Sequence, residues 1–211
     1  SNTLAHQALA KGLFATLLPM IPLGLVILPF TISFGRDMAD GVTTRFVLFG
    51  YRMAKQLVAK FVSVAILVSL VTVVYCLVLY QVLPLPSMSM LSLANVFAST
   101  MILTAALYLL SFAIAQVFKG FNMIQGVAMV CYFGIAFLTG SMGTFQLPRT
   151  LEKAIEWIPF AAIRETLKMH WGSNTVTDMQ TEWFKLIVFL LITLFLFGLA
   201  EFYRRLKIHA V

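Results

Sequence analysis

Apolar residues in this chain form five long, nearly uninterrupted stretches, at approximately residues 9–34, 58–83, 93–118, 123–140 and 183–203. A helix needs ~20 mostly apolar residues to cross a bilayer. Because lipid offers no hydrogen bonds to the backbone, stretches of this kind form α-helices. The pattern predicts an all-α integral membrane fold with about five spans, in a single transmembrane domain over residues 1–211.

The first stretch contains three prolines, Pro19, Pro22 and Pro29. Each proline removes a backbone donor and clashes with the preceding turn. We expect this helix to be kinked, with neighbouring helices satisfying the carbonyls that the prolines leave free.

Composition agrees with a membrane protein and excludes several functions. The 211 residues are 61% hydrophobic and 11% charged, whereas soluble domains are roughly half apolar and about a quarter charged. The net charge of +7 does not indicate nucleic-acid binding, because the basic residues collect at the ends of apolar stretches. Cys76 and Cys131 lie inside apolar stretches and have no metal-binding spacing.

The distribution of basic residues predicts the orientation. The connection 84–92 has no charge, whereas the connections before and after it and the C-terminal tail are basic. Basic connections face the cytoplasm, so we expect a multi-pass protein of the cell membrane with a cytoplasmic C-terminus. An odd number of spans that starts outside also predicts a further helix upstream of Ser1.

Two connections are too apolar for simple loops. Residues 35–57 predict an amphipathic helix on the inner membrane face, although ordinary basic anchoring explains the same composition. Residues 147–171 predict two short external helices, 150–158 and 160–171, each after a proline. Such helices lie at the interface or dip into the bilayer.

Catalytic and ion-relay motifs are absent from the sequence. The middles of the spans carry no charged residue, and there is no zinc HExxH motif, no GxSxG elbow and no phosphate-binding loop. We therefore expect no metal site and no catalytic residue. Glu165 near His170 leaves a membrane-embedded hydrolase as an alternative, but an exposed charged helix accounts for these residues better.

Weakly polar span residues favour helix packing, with a substrate pathway as the alternative for Asn95, Ser99, Thr100 and Thr104.

Two local patterns resemble the ABC type-2 transporter permease family, and with the topology the likeness covers residues 9–205. The first is GRDMADGVTTRFVL at 35–48, similar to the family's charged stretch, glycine–threonine pattern, apolar patch and basic end, although Val42 stands where the family often has threonine. The second is Leu138-Thr139-Gly140, followed by Leu147-Pro148 and Trp157-Ile158-Pro159. The family has six spans, so the visible stretches would be spans two to six.

The resemblance implies the membrane subunit of an ATP-driven exporter that moves an amphiphilic or other substrate. Two permease chains, as a homo- or heterodimer, would dock two separate ABC ATPase subunits, and the partner would hold Mg-ATP while this chain binds no cofactor. The coupling residues implied are Arg36, Asp37, Asp40, Gly41, Thr43, Arg45, Phe46 and Leu48. The external-gate residues implied are Gly140, Leu147, Pro148, Trp157, Pro159 and Arg164. A non-transporting membrane protein, such as an immunity or sensor subunit, is the alternative.

Overall fold

The structure, a computed structural model, describes residues 2–18, 20–83, 90–118, 120–138, 146, 148–155 and 176–209. All regular secondary structure in these ranges is helical. In chain order the elements are α1 (Asn2–Leu17), α2 (Met20–Pro22), the π-helix π1 (Leu23–Ile27), α3 (Leu28–Ala39), α4 (Val42–Leu48), α5 (Met53–Val82), α6 (Met90–Val117), α7 (Phe121–Leu138), α8 (Arg149–Ile155) and α9 (Val176–His209).

Four helical segments of the described chain are long and apolar enough to cross a membrane: Met20–Ala39, Met53–Val82, Val96–Val117 and Phe184–Leu206. The prediction of an all-α, multi-pass membrane protein is confirmed at this level. The first span is displaced toward the C-terminus relative to the predicted range 9–34. The predicted span 123–140 corresponds to α7, an apolar helix of only 18 residues.

The proline-rich first segment is interrupted as its composition predicts. It consists of α1, α2, π1 and α3, and the π-helical turn lies between Pro22 and Pro29. Hydroxyl groups from neighbouring helices lie against main-chain carbonyls of this segment. The Tyr75 hydroxyl donates to the Phe14 carbonyl at 2.8 Å, and the Ser111 hydroxyl, which donates to the Leu107 carbonyl of its own helix at 2.9 Å, lies 3.4 Å from the Val26 carbonyl. The Phe14 carbonyl also accepts from the Leu18 amide at 3.2 Å, so the Tyr75 bond adds to the helix bond and does not replace one that a proline removes.

Contacts between the helices establish their relative directions. The Phe112 and Phe197 rings are 5.4 Å apart, and Gln116 bonds Glu201 four residues further along both helices, so α6 and α9 are parallel. Tyr108 bonds the Leu57 carbonyl, whereas Met101, earlier in α6, contacts Ser69, later in α5. The α5 helix is therefore antiparallel to α6.

The α7 helix runs antiparallel to the first segment along most of its length. Gly24 faces Tyr132 near one end of the contact, and Gly35 faces Ile124 near the other. At Gly35 the approach is close, since a Cβ atom there would lie 3.0 Å from the Ile124 Cδ1 atom and 3.1 Å from its Cγ2 atom. Small residues allow helices to approach in this way in membranes, where van der Waals contact replaces the hydrophobic drive.

Replacing Gly35 with leucine is expected to separate α3 from α7 and to lower the free energy of unfolding by about 1–3 kcal/mol, because the side chain overpacks this contact. SDS-induced unfolding in mixed micelles measures the loss. Gly126→Leu is the matched control, since Gly126 is also helical and a Cβ atom there would meet no atom within 4 Å. Equal losses in the two variants would contradict a specific contact at Gly35.

The interior of the bundle is centred on α6. Of the membrane-crossing part of α6, 61% is buried, compared with 17% for α5 and 17% for α9. The buried Phe34 ring packs edge-on against Tyr108 and Phe112, at centroid distances of 5.4 and 5.2 Å. This aromatic cluster lies near the end of the bundle at which α3 and α6 terminate.

Candidate functional site at the basic face

One end of the bundle collects most of the described charges, and we call it the basic face. It is formed by the ends of α3, α6 and α9, the starts of α5 and α7, and the α4 connection. Its described charged residues are Arg36, Arg45, Arg52, Lys55, Lys60, Arg204 and Arg205, with Asp37, Asp40 and Glu201 as the acidic ones. The sequence-predicted coupling residues all lie here.

An ion pair joins the first span to the second at this face. The Lys60 ammonium group donates to the Asp37 carboxylate, and the two side chains are 34% and 27% exposed. The same ammonium group lies 4.9 Å from the centroid of the Phe34 ring, a cation–π contact. Asp37 and Phe34 lie on α3, so both interactions hold the start of α5 against the end of α3.

A second cation–π contact ties α7 to α3. The Arg36 guanidinium carbon lies 5.3 Å from the centroid of the Phe121 ring, the first residue of α7. Arg36 and Asp37 are therefore in the last turn of α3 and form part of the bundle. They are not on the connecting helix.

The connection between α3 and α5 differs from the single amphipathic helix predicted over residues 35–57. The α3 helix continues to Ala39, α4 covers only Val42–Leu48, and α5 already begins at Met53. Glycines in the left-handed region bracket α4, with φ values of +70° at Gly41 and +91° at Gly50. Since other residues are strained at such angles, the two glycines break what the apolar pattern presented as one helix.

The α4 helix and the residue that follows it present an apolar patch, which we define as Phe46, Val47, Leu48 and Phe49. Leu48 and Phe49 are each 80% exposed. Thr43 is half-buried, whereas Asp40 and Arg45 are exposed on either side of the turn at Gly41. A helix of seven residues with its largest apolar groups exposed needs an additional contact to be stable.

A cavity of about 310 Å³ separates α4 from α5. We call it the α4–α5 cavity; its lining is mainly apolar, with charged groups at the wall. The Phe46 and Tyr51 rings meet edge-to-face at 6.0 Å, and the Gln56 side chain donates to the Tyr51 carbonyl at 3.0 Å. The complete lining is Asp37, Val42, Thr43, Phe46, Tyr51, Lys55, Gln56, Ala59 and Lys60.

A second polar cluster at the basic face joins α6 to α9. The Gln116 amide donates to one oxygen of Glu201 at 3.0 Å, and Arg204 donates to the other at 2.6 Å. The Arg205 guanidinium lies 3.6 Å from the same carboxylate. Sequence reasoning missed this site because it considered only the middles of the spans, although Glu201, an acidic residue near the end of the predicted span 183–203, was an available signal.

The remaining sequence-predicted residues have different positions. Ser99, Thr100 and Thr104 are buried in the bundle, where Thr100 and Thr104 donate to carbonyls four residues earlier on their own helix. This arrangement agrees with helix packing. The Asn95 side chain lies outside the described residues.

Only one of the predicted external-gate residues is described. Pro148 is exposed, and its carbonyl accepts from the Glu152 amide at 3.0 Å at the start of α8. A helix, Arg149–Ile155, overlaps the first predicted external helix at 150–158, of which residues 156–158 lie outside the described residues. Gly140, Leu147, Trp157, Pro159 and Arg164 lie outside the described residues, as does the second predicted external helix.

The described part of the chain contains no group of three or more histidine, cysteine, aspartate or glutamate residues that could hold a metal ion. Comparison with known proteins gives no match to a family profile, a curated protein or a solved structure.

Proposed function

We propose that this chain is the membrane-spanning permease subunit of an ATP-driven ABC exporter, with the basic face in the cytoplasm and α4 as the element that docks the ATPase. The observation that carries the proposal is the exposed apolar patch on α4, a short helix held at the membrane surface between two glycine turns. Arg45 and Asp40 beside the patch supply charges that could orient a partner. An apolar ridge of this kind fits a groove on another protein.

The helix directions support five crossings within this chain. Since α6 and α9 both run toward the basic face, the chain must return to the opposite face between them. The α7 helix starts at the basic face and runs back beside α3, so we assign it as the fourth visible span despite its length. The C-terminus is then on the cytoplasmic side, as the basic residues favour.

The connection of α4 to α3 also suggests how a movement of α4 would be transmitted to the membrane spans. The α3 helix leads directly into α4, and the ion pair between Asp37 and Lys60 couples α3 to α5. Displacement of α4 by a closing ATPase would therefore move two spans together, as in a rigid-body transition. Mg-ATP would be held by that partner, because this sequence has no phosphate-binding loop.

A second permease chain is part of the proposal, and the poorly buried spans are compatible with it. The α5 and α9 helices expose apolar side chains over most of their length. Lipid covers some of this surface in any membrane protein, and a second copy would cover another part.

A photo-crosslinking amino acid placed at Leu48 or Phe49 in native membranes is expected to capture an ATPase that contains a phosphate-binding loop, identified by mass spectrometry. The same group at Leu70, which is 61% exposed near the middle of α5, is the control and should capture no ATPase. Crosslinks from Leu48 and Phe49 to lipid alone would contradict docking and would favour a non-transporting membrane protein.

A further inference from the structure

We propose that the α4–α5 cavity is a binding site for an anionic phospholipid of the adjoining leaflet. The lipid phosphate would meet Lys55, and the upper part of an acyl chain would lie between α4 and α5. The position, lining and charge of the cavity favour this ligand whether or not the chain is a transporter subunit.

The cavity lies at the depth of the lipid headgroups. The α5 helix has 30 residues and is therefore ~45 Å long at 1.5 Å per residue, whereas the hydrocarbon core is ~30 Å thick. Part of α5 must extend beyond the hydrocarbon. Its N-terminal turns carry Lys55, Gln56 and Lys60, whereas the remainder of the helix up to Val82 has no charged residue. These turns therefore lie at headgroup level, where a phospholipid places its phosphate.

The walls of the cavity suit an acyl chain. Val42, Phe46 and Ala59 give the cavity apolar surface from both helices. Its volume of about 310 Å³ is at the lower end of the roughly 300–1,000 Å³ of ligand sites. A site of this size at headgroup depth takes part of an acyl chain and leaves the rest in the bilayer.

The charges around the cavity favour an anionic headgroup. Three cations are at or near the cavity: Lys60 and Lys55 line it, and Arg52 precedes α5. Lys60 is paired with Asp37, but Lys55 and Arg52 have no ion-pair partner among the described residues. An exposed ammonium group beside an apolar cavity at the membrane surface is complementary to a lipid phosphate. A zwitterionic lipid carries its own cation and gains less from this contact.

The purified full chain in detergent can be titrated with phosphatidylglycerol, with phosphatidylcholine of the same acyl chains, and with glycerol phosphate, and native mass spectrometry counts the bound molecules. We expect phosphatidylglycerol to bind about tenfold more tightly than phosphatidylcholine, the effect of one charge-assisted contact. Glycerol phosphate should not compete, because it has no acyl chain.

Two variants test the site itself. Lys55→Gln is expected to remove most of the tenfold preference, and Lys55→Arg to retain it. Ala59→Trp fills the cavity and is expected to lower the occupancy of both lipids. The control is Arg205→Gln, which removes a cation of the basic face that does not line the cavity, and it should leave the preference unchanged.

Several results would overturn the proposal. Equal binding of the two lipids would remove the charge argument, and competition by glycerol phosphate would show a free-phosphate site. An equal effect of Arg205→Gln and Lys55→Gln would show that the whole basic face attracts anionic lipid without a defined site. None of these measurements involves an ATPase, so failure here is distinguishable from failure of the proposed function.

Discussion

Replacing Asp37 with lysine is expected to detach the end of α3 from the start of α5 and to lower the free energy of unfolding by about 2–3 kcal/mol. The substitution removes the carboxylate that accepts from Lys60 and places two ammonium groups in contact. Both side chains are about one-third exposed or less, so solvent screens the repulsion only partly. SDS titration in mixed micelles measures the loss in the purified chain.

The exchanged pair Asp37→Lys/Lys60→Asp is the matched test of this interaction. It restores opposite charges at the same place and should recover most of the lost stability. Recovery should fall short by ~0.5–1 kcal/mol, because a carboxylate over the Phe34 ring cannot replace the cation–π contact. A double variant as unstable as Asp37→Lys alone would show that the ion pair contributes little.

The same variants connect stability to the proposed function. If Asp37 acts by coupling α3 to α5, the co-purification of an ATPase should fall in Asp37→Lys and return in the exchanged pair. If Asp37 instead contacts the ATPase directly, the exchanged pair would recover stability without recovering assembly. Unchanged assembly in both variants would count against a coupling role for this turn.

Replacing Glu201 with alanine is expected to destabilise the chain by about 2 kcal/mol, because it leaves Arg204 within a span without its carboxylate. It also removes the acceptor for Gln116, which connects α6 to α9. The Arg204 Nε atom and the Gln116 Oε1 atom are already buried without a partner among the described residues. The cluster therefore has little capacity to compensate.

Two further variants separate charge from packing at this cluster. Arg205→Gln is the control, because Arg205 is 72% exposed at 3.6 Å from the carboxylate, and its loss should cost under ~0.5 kcal/mol. The double variant Glu201→Ala/Arg204→Leu removes both charges and should recover much of the stability lost in Glu201→Ala. No recovery would indicate that the hydrogen bond to Gln116, and not the unpaired arginine, dominates.

Much of the fold follows from local properties of the chain. The four segments long and apolar enough to span a membrane overlap stretches visible as apolar runs, and Pro22 and Pro29 flank the π-helical turn. The grouping of basic residues at the ends of apolar stretches was equally predictable. The helix boundaries in the connection between α3 and α5 were less predictable. Gly41 and Gly50 divide this connection, and their left-handed conformation is a property of the turns that they form.

The contacts within the candidate site could not be predicted from local sequence patterns. Asp37 and Lys60 are 23 residues apart, and Gln116 and Glu201 are 85 residues apart. Each of these residues has an ordinary explanation as a charge or amide near a span end, and nothing near it in the sequence selects its partner. The cavity between α4 and α5 has the same origin, because its walls meet only after the chain turns at Gly50.

The sequence by itself determined which segments are apolar enough for a membrane and at which of their ends the basic residues collect. Transfer of each segment into lipid depends on its own side chains and backbone, so the information is local. The tertiary structure decided which spans pair, that α6 and α9 are parallel, and which charges neutralise one another. These features arise from close packing between helices, and because lipid is as apolar as the helix surfaces, hydrophobicity does not select among the possible partners.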